Sequence, residues 1–192
     1  MSFSAITTIL RAPNTIFTFK ELALLLGMTN PAALQDKIHY YVKTGALYPV
    51  RKGIYAKDQS YNPLELATKI YTPAYISFET VLAAQGVIFQ FYKPIFVASY
   101  LSREIHCDDH KFIFKKIKQS VLTNMQGVSE QNNVFIADKE RAFLDIIYLN
   151  KEYYFDNLNS IDWSKCFNLV EIYENTNMEK RLKKYYKESQ DA

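Results

Sequence analysis

Three observations make this sequence an α+β fold. Between Thr18 and Tyr55 two helices, parted by a short turn, run into a tight two-stranded ribbon. Further along, short alternating or β-branched runs are interleaved with segments of helical period. Glycine is scarce, at 5 of 192 residues, which argues against a sandwich built on many tight turns.

The elements follow in order. A helix is expected over residues 2–12, with Phe3, Ile6, Ile9 and Leu10 on one side, broken by Pro13-Asn14. Thr15-Ile16-Phe17 is a short extended piece able to pair with the ribbon. Thr18 and Glu21 have capping-box spacing, so Thr18 caps a helix that Glu21 closes from inside, with Leu22, Leu25 and Leu26 at helical spacing. Gly27 ends it, because glycine enters the left-handed C-terminal position without steric cost. Asn30-Pro31 starts the next helix, Asn as cap and Pro where its missing N–H does no harm; Gly45 stops it. Leu34, Ile38, Tyr41 and Val42 share one face of that helix. The other carries Ala32, Asp36, His39, Tyr40 and Lys43, flanked by Gln35 and Lys37.

That polar face has the chemistry of a groove-reading helix. Gln and His bond base edges, Ala meets a thymine methyl and Lys reaches phosphate, while Asp36 works against phosphate unless it accepts from a cytosine amine. Residues 46–50 and 54–56 read as strands around the basic tip Arg51-Lys52-Gly53. Helix, strand, helix, helix, hairpin is the element order of a winged helix-turn-helix, assigned to residues 1–60 as a DNA-binding domain. Gln35, His39, Tyr40 and Lys43 are the expected groove and phosphate contacts, and Arg51 and Lys52 the wing contacts.

Charge agrees with this division. Residues 1–61 hold seven Lys/Arg and three Asp/Glu, residues 62–178 hold 11 and 14, and residues 179–192 hold five and three. The basic end coincides with the candidate reader, though its excess is small enough to ask for a second subunit on DNA.

Residues 61–192 read as a small mixed α/β domain, entered across an interruption at 58–62 too short to act as a free tether. Asn62-Pro63 begins a helix to about Tyr71 with Leu64, Ala67 and Ile70 as its buried stripe. Ser77 is a cap candidate for a helix to Gln85, ended by Gly86, with Val81, Leu82 and Ala84 apolar. Strands are expected at Pro94–Tyr100, Lys111–Lys118, Val121-Leu122 and Val134–Ile136, three or four in all. Asp138 caps a helix over Lys139–Leu149 that buries Ala142, Phe143, Ile146, Ile147 and Leu149. Tyr153–Phe155 is a short extended candidate. Ser160 or Asp162 caps a helix through Trp163, Cys166, Phe167, Val170 and Tyr173, and a basic helix covers about Met178–Lys187.

Other chemistry is thin. His106-Cys107-Asp108-Asp109-His110 is the one dense set of possible metal ligands, but a connection between strands does not bring both imidazoles to one side, and a solvated turn is favoured. Asp138, Glu140 and Asp145 fit structural roles: a cap, a favourable charge near the helix N-terminus, and a partner for Arg141 at i,i+4. Lys180, Arg181, Lys183, Lys184 and Lys187 read as a solvated helix face before they read as a binding surface. No P-loop, dinucleotide fingerprint or nucleophile elbow is present, so neither an enzyme nor a cofactor is expected. Two distant cysteines, no signal peptide and no apolar run long enough to span a bilayer lead to the expectation of a cytoplasmic protein.

Three stretches together resemble one family. With the N-terminal helices and ribbon go Tyr75-Ile76-Ser77-Phe78-Glu79-Thr80-Val81-Leu82, followed by Gly86, and Ile136-Ala137-Asp138-Lys139-Glu140-Arg141-Ala142-Phe143-Leu144-Asp145. In order and spacing these look like the AbiEi-type antitoxins of type IV toxin–antitoxin systems. The chain departs from that pattern at Thr80-Val81, where the family often has a small residue and Ala, and at Phe143, where Leu is common. The resemblance implies an autorepressor that binds inverted repeats in double-stranded DNA at its own promoter, by dimerisation or cooperative binding. It also implies a C-terminal domain that opposes a nucleotidyltransferase-type toxin. Two other readings compete: a protein-interaction module that neutralises such a toxin without specific DNA binding, and a metal-dependent enzyme built on residues 106–110.

Overall fold

The computed structural model describes residues 4–190, so Phe3 lies outside the described residues. The N-terminal unit contains α1 (Ala5–Arg11), β1 (Ile16–Thr18), α2 (Phe19–Leu26), α3 (Pro31–Lys43), β2 (Tyr48–Arg51) and β3 (Ile54–Ala56). The body follows with α4 (Pro63–Ile70), β4 (Ala74–Ile76), α5 (Phe78–Ala84), β5 (Ile95–Ser99), β6 (Arg103–Cys107) and β7 (His110–Lys116). It continues with α6 (Gln119–Leu122), β8 (Val128–Gln131), β9 (Val134–Ala137), α7 (Lys139–Leu149), α8 (Trp163–Leu169), a 3-10 turn at Val170–Tyr173, and α9 (Thr176–Gln190). The fold is α+β, with one antiparallel and one mixed sheet.

Local chemistry sets the N-terminal unit as the sequence leads one to expect. The Thr18 hydroxyl accepts from Glu21 N while Glu21 accepts from Thr18 N, a complete capping box. Gly27 is left-handed at φ 61°, and Met28 N reaches Ala23 O at 2.9 Å while Gly27 N reaches Leu24 O, the paired bonds of a Schellman ending. The Asn30 side chain accepts from Ala32 N and Ala33 N, with Pro31 opening α3. Strand order is β1-β3-β2, all antiparallel.

This small sheet has two employers. Phe17 on β1 joins Ile9, Leu22, Leu34, Ile38 and Leu47 in a compact core beneath the helices. Ile16, Ile54 and Ala56 belong to the larger core of the body. Alternation along the strands sends successive residues to opposite faces, so a single sheet serves both. The boundary near residue 60 therefore divides the chain but not its packing. Glu65, 1% exposed, reinforces the joint: its carboxylate accepts from Thr15 N and Oγ1 and from Asn14, and pairs with Lys69 at 3.0 Å.

The body is built on a six-stranded mixed sheet in the order β6-β7-β5-β4-β9-β8. Helix α7 packs against α5, α8, α9 and β9, and α4 packs on β4, β5 and β9. A buried polar knot holds α7 to β4. Asp145 accepts from Tyr75 Oη, from Ser77 Oγ at 2.7 Å and from Tyr173 Oη at 2.6 Å. Arg141, fully buried, donates to Tyr75 Oη and to the carbonyls of Val121, Asn124 and Gln126, and its Nε lies 3.5 Å from Asp145. Burial pushes the Asp145 carboxyl upward, against the opposing pull of Arg141 and the three hydroxyls. Gly127 (φ 74°) closes against the start of α7, where a Cβ would stand 2.9 Å from Arg141 Cβ, so both its backbone angle and its lack of a side chain are required.

Several local expectations need correction. Val121-Leu122 is helical, in α6, where both side chains are buried in the core of the body and Val121 O accepts from Arg141. Strands β6 and β8 were not expected: both are edges, β8 is polar after Val128, and in β6 the alternation is confined to Ile105 and Cys107. In α4 the buried residues are Glu65, Leu66, Ala67 and Thr68, whereas Leu64 and Ile70 are only half-buried, since this helix meets both the small sheet and the large one. Ser77 stands at the cap position of α5 but makes no cap bond, its hydroxyl being committed to Asp145. Ala84 is exposed, as is Leu149 at the end of α7. Tyr153–Phe155 is irregular, tied instead by Tyr153 N and O to Tyr185 Oη.

Candidate nucleic-acid interface

Helix α3 buries Leu34 and Ile38 and half-buries Tyr41 and Val42, which fixes its rotation. At 3.6 residues per turn, Gln35, His39, Lys43, Asp36 and Tyr40 then fall within about 140° of its circumference. All five are exposed, with Tyr40 at 63%. The Tyr40 ring leans on Tyr41 at 5.8 Å between centroids, so its phenol is presented from a supported ring.

The hairpin sits on the same unit. A register shift between Pro49 and Arg51 leaves Val50 as a bulge, and Lys52-Gly53 makes the two-residue turn. Phe19 N donates to Gly53 O at 2.9 Å, tethering the tip to the start of α2. Arg51 and Lys52 are exposed at that tip. Among the described residues, none of Lys37, Lys43, Arg51 and Lys52 forms an ion pair. Their charge is therefore available to an external anion. A polar helix face and a short basic hairpin on one rigid unit can do two things chemically: offer donors and acceptors to base edges, and bind phosphate oxygens.

All six expected contact residues thus lie on the exposed surface of the N-terminal unit. The 106–110 segment ends up elsewhere, as the β6–β7 hairpin, and its side chains diverge. His106 faces solvent beside Glu104 at 3.0 Å. Cys107 is buried with its thiol on Val50 O, and burial pushes that thiol upward. His110 packs edge-on to Tyr61. Asp108 accepts from Tyr61 Oη at 2.6 Å and from Tyr48 Oη at 3.3 Å. Both phenols are raised above their ordinary value, Tyr61 chiefly by burial and Tyr48 chiefly by the Asp108 charge. Among the described residues no group of three or more His, Cys, Asp and Glu side chains is placed to hold a metal ion.

Asp108 is the positioning residue that sequence reasoning missed. It joins the hairpin of the body to β2 and to the connection before α4, across 60 and 47 residues of chain, and nothing in its local sequence signals those partners. On α9, Arg181 donates to Asn150 O and Tyr186 packs on Trp163 and Phe167, so part of the basic C-terminal run is used inward. Lys180, Lys183, Lys184 and Lys187 remain exposed. Among the described residues no helix is long and apolar enough to cross a membrane. No protein-family model and no curated protein matches this chain.

Proposed function

We propose that this chain is a sequence-specific DNA-binding transcriptional regulator, an autorepressor that also serves as the antitoxin of a type IV toxin–antitoxin system. The N-terminal unit acts as a winged helix-turn-helix: α3 enters the major groove and the β2–β3 hairpin is the wing. Gln35 and His39 read base edges, Tyr40 and Lys43 contact backbone or groove, and Arg51 and Lys52 take the flanking phosphates. One feature above all supports this: the exposed polar face of α3 stands on the same unit as a tip whose two cations form no ion pair among the described residues. The antitoxin half, with a nucleotidyltransferase-type toxin as target, is supported by the resemblance in residues 75–86 and 136–145.

A mobility shift on the region upstream of the gene, at two salt concentrations and against a scrambled duplex, tests the first half. Specific, salt-sensitive binding is expected. Equal binding to the scrambled duplex would sink the repressor reading.

A second reading draws on exposed apolar residues of the same unit, Leu24 at 82%, Leu10 at 51% and Tyr40. A unit used only for protein contact would present such a surface. Co-purification of a toxin with no promoter shift would favour it.

A further inference from the structure

Strand β6 is an edge of the six-stranded sheet, and its only strand partner among the described residues is β7. The two-residue turn Asp108-Asp109 makes the flanking Cys107 and His110 the hydrogen-bonded pair of the hairpin. Alternation along an antiparallel ladder then turns the N–H and C=O groups of Arg103, Ile105 and Cys107 toward β7 and those of Glu104 and His106 outward. The side chains of Glu104 and His106 stand on the solvent face, 50% and 68% exposed, with Lys111 beside Glu104 at 2.8 Å. Ile105 and Cys107 face inward.

From this arrangement we infer that the β6 edge is a self-pairing surface whose partner is a second copy of this chain, joined antiparallel about a twofold at Ile105. That register sets Glu104 of each copy directly opposite His106 of the other, and these are the residues whose backbone groups point outward. Backbone polarity and side-chain hydrogen bonding thus select the same register. A shift that centres on Glu104 or on His106 would set like groups face to face. Native edges often carry charge to prevent pairing; here a carboxylate acceptor meets an imidazole N–H donor across the twofold, the same contact that Glu104 and His106 make within one chain. Because the axis runs perpendicular to the sheet, both N-terminal units are carried on the same side of the extended sheet, the isologous arrangement of a twofold dimer. A contact of five residues per strand is small, so the dimer is weak in free solution. The pairing does not rest on DNA binding and is measured without DNA.

Sedimentation equilibrium of the full chain up to about 1 mM is the first measurement. A monomer–dimer equilibrium is expected, and a monomer throughout would overturn the pairing. Glu104→Lys and His106→Glu should each weaken association about tenfold, since every dimer contains two such pairs. The double variant Glu104→Lys/His106→Glu should dimerise with itself and not with the wild-type chain. A dimer insensitive to either single change, or not restored by the double, would assign the contact to another surface. A variant-free check is amide exchange of the wild-type chain: Glu104 and His106 should slow as concentration rises while Ile105 does not change. Concentration-independent rates at both amides would overturn the proposal regardless of how the variants fold.

Discussion

The N-terminal unit and the body use charge in opposite ways. In the body, charged side chains are spent on the fold: Arg141 and Asp145 are fully buried with hydrogen-bonding partners, Glu79 holds Lys115 at 2.8 Å, and Asp138 both caps α7 and pairs with Lys165. In the N-terminal unit the acid Glu21 is tied to its own backbone cap and to Lys69 of the body, while among the described residues Lys37, Lys43, Arg51 and Lys52 have no ion-pair partner. Removing a buried body charge such as Arg141 should break the protein; removing an N-terminal cation should leave it folded and change only what it binds. Similar residue types thus carry different consequences, and the difference lies in burial.

The largest effect expected is at Arg141. Arg141→Met strands the buried Asp145 carboxylate and three backbone carbonyls, and should cost about 3–5 kcal/mol of stability in denaturant unfolding. A loss under about 1 kcal/mol would mean that the knot is not a structural keystone. Next is the double change Arg51→Gln/Lys52→Gln. It should lower affinity for all DNA sequences alike and flatten the log–log salt slope by about 2, with the unfolding midpoint unmoved. An unchanged slope would refute the wing. Gln35→Ala should cost about 1–3 kcal/mol at the operator and nothing on a scrambled duplex, read from competition binding. Equal losses on both would make Gln35 a backbone contact.

The smallest effect tests the joint between the regions. Tyr61→Phe removes the shorter bond to Asp108 and should cost about 1–2 kcal/mol. It also has a pH signature. The Tyr61 phenol is raised in the folded chain, so its contribution is complete below the unfolded tyrosine value of about 10 and is lost as pH rises beyond it. Alkaline unfolding curves of Tyr61→Phe should therefore fall less steeply above about pH 10 than those of the wild type. Identical slopes would remove Tyr61 from the linkage, leaving the other raised phenols, Tyr48, Tyr75, Tyr153 and Tyr173, to account for it.

Where structure is dictated within a few residues, it was legible. The Thr18–Glu21 box, the Gly27 ending and the Asn30-Pro31 start are contests between neighbouring backbone groups, and each came out as its residues required. The exposed placement of Gln35, His39, Tyr40 and Lys43 followed from the apolar face of α3, and that of Arg51 and Lys52 from the turn between β2 and β3. Long-range polarity was not legible. Glu65, Ser77 and Asp108 look like ordinary surface or cap residues until strands from elsewhere in the chain supply their donors. Edge strands escaped for the converse reason: β8 buries little, and in β6 only Ile105 and Cys107 alternate inward, too short a run to stand out. Val121-Leu122 has strand-like composition, and the donor from Arg141 to Val121 O shows the tertiary demand that overrode it.

The small sheet that serves two cores has a consequence for how this chain can be cut. A fragment ending near residue 60 would keep every residue assigned to DNA and still uncover Ile16, Ile54 and Ala56, all nearly or wholly buried, along with the flanks of Tyr48 and Val50. It would also leave the N–H of Thr15 without its buried acceptor, Glu65. The N-terminal unit is thus not a cassette that can be transplanted onto other proteins. Its exposed α3 face and the body that carries it must be inherited together.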